Sequence, residues 1–330
     1  WLATSHSGLL RYDPASGTSI SVRSNNALAD SLPENTVTTL MVDHSGLLWV
    51  GTQSAGVVLT DPLGSRFALV FDPEHDLRST NSVRSLYQSP DGALWIGTDG
   101  AGVKRYDLAS DRFASYLPQL RAAMNPDLAT HDVNVNAVRP AGSGALWIGT
   151  NLGLYKLDPG HDSAHAQELL AGETNPEAQV FNVRSLENAS DGGLWVGTQT
   201  HGLIKLDANG HPVLQIGAGG RNGLSNAMVN SLHEDADKGV LWIGTMDGLD
   251  SLHLADRAMR HYLNDPHDPD TMSGNRVRAI IAARDGGLWV GTHSGLNHVQ
   301  AISGGVARIR RYPVGKDNST VYGILQEARG

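Results

Sequence analysis

Cysteine is missing from all 330 residues, which excludes disulfides, cysteine-ligated zinc and thiol catalysis and leaves the redox compartment open. A basic excess is missing too: 25 Lys and Arg stand against 34 Asp and Glu, a net charge of −9, so the electrostatic footprint of a nucleic-acid binder is not there. Apolar runs stop at about five residues, as in Ala279–Ala283, far short of the roughly 18 that a membrane helix needs. No membrane contact by this segment is expected. The chain opens on Trp1 with no basic-then-apolar leader and stops at Gly330 in mid-pattern, which reads as a piece of a longer parent. Phosphate-binding, zincin and serine-hydrolase signatures (G-x-x-x-x-G-K-S/T, H-E-x-x-H, G-x-S-x-G) do not occur.

Aromatic residues make up only 6% of the chain, yet the seven tryptophans are strictly placed. Six sit in one pentapeptide: Leu48–Thr52, Leu94–Thr98, Leu146–Thr150, Leu194–Thr198, Leu241–Thr245 and Leu288–Thr292, each reading L-W-V/I-G-T. Trp1-Leu2-Ala3-Thr4 is a truncated seventh copy. Successive Trp spacings of 48, 46, 52, 48, 47 and 47 fall in the range of four-stranded propeller blades. Helical solenoids of similar period would lack this β-rich, glycine-punctuated text.

Within one period four short strands are legible: A over Val83–Gln88, B over Leu94–Thr98, C over Gly102–Asp107 and D over Arg112–Tyr116. Asp91-Gly92, Asp191-Gly192 and Asp285-Gly286 supply the tight A-to-B turn. Strand A is apolar at i and i+3, as in Val83 and Leu86 or Val183 and Leu186, so both of its faces are covered. That is the situation of a blade wedged between two neighbours. From the strand-A Val to the turn Gly is nine residues in most copies, and Val321 to Gly330 is also nine. The expected fold is therefore all-β: residues 1–330 form one seven-bladed β-propeller with four antiparallel strands per blade. Val321–Gln326 is the inner strand of a composite blade completed by the N-terminal strands.

The text N-x-V-x-x-L, then D-x-x-G-x-L-W-V-G-T, a short gap, G-L and a closing Y/L-D resembles the two-component regulator propeller repeat over the whole chain. Asp265–Val277 is similar to the blade-linking text of that family, with Asp72–Val83 a second copy. The resemblance implies a periplasmic sensor propeller of a hybrid two-component histidine kinase or a related diguanylate cyclase. It also implies a small-molecule or oligosaccharide ligand and, through the parent, a second propeller or a homodimer partner. The sequence departs from the pattern where His253 and Gln300 replace the Asp that ends strand C, and in the long stretch Leu117–Val133.

D-to-A and B-to-C connections share one end of a propeller, and the longest loops here are D-to-A, so a ligand is expected at that mouth. The residue after each strand-A Val reads Thr38, Arg84, Asn136, Arg184, Asn230, Arg278 and Tyr322 around the ring. Guanidinium forks in such a ring suit paired oxygens. Arg84, Asn136, Arg184, Asn230, Arg278 and Tyr322 are the candidate ligand contacts, joined by His201 and His293 from the B-to-C turns; each Arg has the competing role of bridging to a neighbouring blade or a turn Asp. The 14 histidines form no tight cluster, so no metal and no cofactor are expected, and Asp265–Asp270, with two prolines, reads as a solvated loop and not a calcium site. Three classes of function stay open: a sensor, a propeller enzyme (glycoside hydrolase or lyase, with Asp99 and Asp247 as candidate carboxylates) and a protein-interaction platform.

Overall fold

A computed structural model describes residues 1–28, 30–62, 66–70, 82–160, 164–171, 181–220, 222–301, 307–314 and 319–327. The strands fall into seven four-stranded antiparallel sheets. In the blade read above, A, B, C and D are Val83–Gln88, Leu94–Thr98, Val103–Asp107 and Arg112–Ser115, within a residue of the sequence assignment. The composite blade forms as expected, on a shorter inner strand: Val321–Ile324 pairs antiparallel with Leu2–Thr4, which continues into Leu9–Asp13 and Thr18–Val22. Leu325 N donates to Trp1 O at 2.9 Å and Ser5 N to Thr320 O at 3.2 Å, extending this seam beyond the ladder. The closing glycine of the repeat, Gly330, and the linker copy at 71–81 lie outside the described residues.

The core is divided among the seams between blades. Buried apolar residues form seven clusters, and each spans two adjacent blades. The one holding Trp95, for example, takes Val135, Leu146, Ile148 and Tyr155 from the next blade. The pentapeptide supplies this seam position by position. Its Leu and its Val or Ile are buried in every full copy. Its Thr closes the B-to-C turn, the hydroxyl donating to a glycine carbonyl at 2.7–3.1 Å in all seven blades, from Thr4 to Gly8 round to Thr292 to Gly295.

Its Gly is required by close approach. A Cβ on Gly51, Gly97, Gly149, Gly197, Gly244 or Gly291 would stand 2.5–2.8 Å from Cγ1 of the inner-strand Val of the next blade. The residue paired with each of these glycines on its own inner strand is small: Thr39, Ser85, Ala137, Ser185, Ser231 and Ala279 in turn. In the composite blade the order inverts, with Ala3 in the glycine position and Gly323 opposite it. The space for one methyl group is kept on the other strand.

Two features break the regularity of the repeat. Five tryptophans are buried, Trp49, Trp95, Trp147, Trp195 and Trp242, but Trp289 and Trp1 are only half-buried. The two flank a groove beside the composite blade that is also lined by Tyr12, Ile20 and Ile324, where adjacent blades do not close over the rings. The long stretch after Leu117 carries a helix, Leu117–Ala123, in a chain read as wholly β. Pro118 lies in its first turn, where an N–H is not needed. Leu120 is fully buried with Trp95, Val103 and Val133, so the helix caps the seam between two blades.

Candidate functional site

Six of the A–B ladders contain a register shift directly after the inner-strand Val, so that Thr38, Arg84, Asn136, Arg184, Asn230 and Arg278 have no partner opposite them. The composite blade does the same at Tyr322, because Val321 pairs with Thr4 and Gly323 with Ala3. An extra residue in one strand of a pair is a β-bulge, which bends the strand and re-aims the side chain. All seven bulge residues line one cavity of about 330 Å³, together with Thr36, Gln53, Ser82, Val83 and Asp99. The repeat position singled out by sequence is thus the inner rim of the ring.

The seven side chains divide into two roles. Thr38 Oγ1 donates to Val83 O at 2.6 Å, Asn136 Nδ2 to Val183 O at 2.7 Å and Asn230 Nδ2 to Val277 O at 3.1 Å. Each latches its blade to the carbonyl that precedes the next bulge. Two of the alternating arginines project onto these latches and the third lies against Tyr322. Arg84 Nη1 donates to Asn136 Oδ1 at 3.1 Å and its Nη2 to Asp99 Oδ2 at 2.8 Å, a salt bridge to a B-to-C turn. Arg184 Nη2 reaches Asn230 Oδ1 only at 3.4 Å. Arg278 lies over the Tyr322 ring at 5.9 Å, and its buried Nε has no hydrogen-bond partner. Arg84 therefore follows the bridging reading, while Arg184 and Arg278 meet no carboxylate among the described residues. Burial, and then the charges of Arg278 and Arg84, press the Arg184 guanidinium below its ordinary pKa.

The B-to-C turn residues are placed differently. His201 stacks on Phe181 with centroids 4.2 Å apart and hydrogen-bonds Thr200 Oγ1 at 3.0 Å; it is not part of the cavity wall. His293 also stands off the wall, and burial, with the charges of Arg276 and Arg278, lowers its pKa. Asn151 ties its B-to-C turn to the connection that precedes Val135, accepting from Asn134 N and donating to Asp132 O. Of the two candidate carboxylates only Asp99 faces the cavity, and it is bound to Arg84; Asp247 accepts from Asn275 Nδ2 at 3.1 Å. Among the described residues no group of three or more His, Cys, Asp and Glu is arranged to hold a metal.

A family profile described as two component regulator propeller matches residues 31–54, 77–100, 223–247 and 271–294. The chain carries four two component regulator propeller repeats. Each matched segment runs from the D-to-A connection through the inner strand and ends two residues beyond the pentapeptide, so the matched repeat is also the stretch that builds the rim of this propeller.

Solved structures share its architecture. The extracellular domain of a protein described as a hybrid two component system of B. thetaiotaomicron is 18% identical, with a TM-score of 0.53 over 97% of this chain and 45% of its own. A second B. thetaiotaomicron extracellular domain, described as part of a one component system, is 19% identical, with a TM-score of 0.53 over 89% of this chain and 43% of its own. The propeller thus spans less than half the length of these two proteins. Virginiamycin B lyase from Staphylococcus aureus is 15% identical, with a TM-score of 0.63 over 88% of both chains. At these identities the likeness is one of fold. No curated protein sequence matches the chain.

Proposed function

We propose that this propeller is the extracytoplasmic, periplasmic ligand-sensing part of a bacterial two-component or related signalling protein, and that it takes a small ligand, of oligosaccharide class, in the bulge-lined mouth. The observation that carries the reading is the convergence of seven bulge residues, one per blade, on a single cavity. Blade packing does not need Arg184, Arg278 or Tyr322 at those positions, since the latching is done by Thr38, Asn136 and Asn230. The family match, and the likeness to extracellular domains of signalling systems, support the sensor reading over an enzyme. Among the described residues no helix is long and apolar enough to cross a membrane.

Calorimetry of the wild-type propeller against a panel of neutral and acidic oligosaccharides tests the site. Losing one charge-assisted hydrogen bond costs about 1.5–3 kcal/mol, so folded Arg184→Ala is expected to bind roughly ten- to hundredfold more weakly. Unchanged affinity in a folded Arg84→Ala/Arg184→Ala/Arg278→Ala variant would remove the mouth as the site, and turnover of a panel member would replace the sensor by an enzyme.

A further inference from the structure

We infer that the mouth is a polarised acid-recognition site: Arg184 and Arg278 together take the paired oxygens of an anionic ligand of monosaccharide size, with Tyr322 as the apolar wall beside them. The inference rests on the mouth being the ligand site and names the chemical class that the site selects. It follows from an accounting of donors around the rim. Thr38, Asn136 and Asn230 spend their donors on the next blade. Arg84 spends its charge on Asp99. What remains is one arc of the ring, running from Arg184 past the Asn230 spacer to Arg278 and Tyr322.

Two positive charges on that arc have no counter-charge among the described residues, although the chain as a whole carries nine more acidic than basic side chains. Guanidinium groups partly withdrawn from water and left unpaired are costly, and burial first, then the neighbouring charges of Arg278 and Arg84, lower the pKa of Arg184. A neutral sugar would leave that cost in place; an oxyanion removes it. Carboxylate, sulfate and phosphate all present the paired oxygens that a guanidinium fork binds. A cationic recess on an acidic protein concentrates such ligands at its entrance. The cavity, about 330 Å³, lies at the small end of ligand pockets and fits one sugar acid, or the acidic end of a longer chain whose remainder stays in solvent. Tyr322, exposed at 37% and held against Arg278, offers a ring face to the body of the ligand.

Thermal melts at constant ionic strength test this with glucuronate, succinate, sulfate and, as the neutral control, glucose. For the wild-type chain we expect dose-dependent stabilisation by the anions and none by glucose. Glucuronate acting at lower concentration than succinate or sulfate would identify a sugar acid, and the reverse order a free small anion. Arg184→Gln/Arg278→Gln is expected to melt at or above the wild-type temperature without ligand, because the repulsion is gone, and to need at least about tenfold more anion for the same shift. Arg184→Lys/Arg278→Lys, which restores charge without the fork, should recover part of the response. A response unchanged in the Gln variant overturns the inference. Stabilisation by glucose alone also overturns it while leaving the mouth as a ligand site, and no response to any of the four compounds, with oligosaccharides still binding in calorimetry, overturns the acidic class while leaving the sensor reading intact.

Discussion

Gly97→Ala probes a seam between blades at a point of close approach. An added Cβ would stand 2.2 Å from Ser85 Oγ, 2.6 Å from Val135 O and 2.8 Å from Val135 Cγ1. The serine hydroxyl can rotate away. The Val135 carbonyl cannot, because it belongs to the inner strand of the next blade, which is itself paired with Leu146–Thr150. Relief requires the two blades to separate by several tenths of an ångström, and a gap of 0.5–1 Å forfeits about a quarter to a half of the dispersion energy of the atoms lining it. Overpacking of this kind costs about 1–3 kcal/mol, and contact with backbone puts Gly97→Ala near 3 kcal/mol, or roughly 5 °C in melting temperature. Gly46→Ala is the control: its φ of +90° makes an alanine strained, but no described atom lies within 4 Å, so only about 1–2 kcal/mol is expected. Adding Ser85→Ala to Gly97→Ala should recover less than half of the loss. Urea unfolding of the variants measures all of these. If Gly97→Ala unfolds within about 0.5 kcal/mol of wild type, or no lower than Gly46→Ala, the account of the pentapeptide glycine is wrong.

Trp95→Ala, which empties a fully enclosed seam, should cost about 3–5 kcal/mol, whereas Trp289→Ala at the half-open seam should cost about 1–2 kcal/mol by the same urea titration. Asp43 is half a turn motif and half a Trp partner: burial would raise its pKa, but bonds from Ser45 Oγ, Trp49 Nε1 and the Leu47 and Ser45 amides outweigh this and hold it below the ordinary carboxylate value. Its stabilisation is therefore present above the unfolded value of about 4 and lost as pH falls through the lower folded one, so Asp43→Asn should destabilise at pH 7 and converge with wild type in acid. Asp250 has the opposite sign: burial raises its pKa against bonds from His261 Nδ1 and from Ser225 N and Oγ. Its contribution is full below about pH 4 and lost as pH rises through the folded value, so Asp250→Asn, copying Asn297 in the next blade, should gain stability relative to wild type as pH rises, read from urea midpoints between pH 4 and 8.

Much of the architecture was legible because a propeller repeats its instructions. The L-W-V/I-G-T period and the nine-residue Val-to-Gly interval located every inner strand, including Val321 at the far end of the chain. The helix Leu117–Ala123 lies outside the repeat pattern, although Leu117, Leu120 and Met124 recur at helical spacing around Pro118. A helix of seven residues in one connection is too short to stand out against the β period of the rest of the chain. The exposure of Trp289 had no signal at all, since its pentapeptide is identical to that around Trp49 and Trp195 and only the neighbouring blade differs.

The candidate site divides in the same way. One repeat position nominated Arg84, Asn136, Arg184, Asn230, Arg278 and Tyr322 together, and the cavity gathers all of them while leaving His201 and His293 off its wall. By itself the sequence determined how many blades there are, which strand seals the ring and which residues face its axis, because each of these follows from periodicity along one chain. Only the tertiary structure decided which rim residues are free. Arg84 and Arg184 occupy the same repeat position in blades of the same pattern, yet Asp99 neutralises the first and nothing described neutralises the second. Whether a side chain is spent or available depends on its distance to a turn of its own blade, 15 residues on, and to the next blade, 52 residues on, and periodicity does not encode those distances.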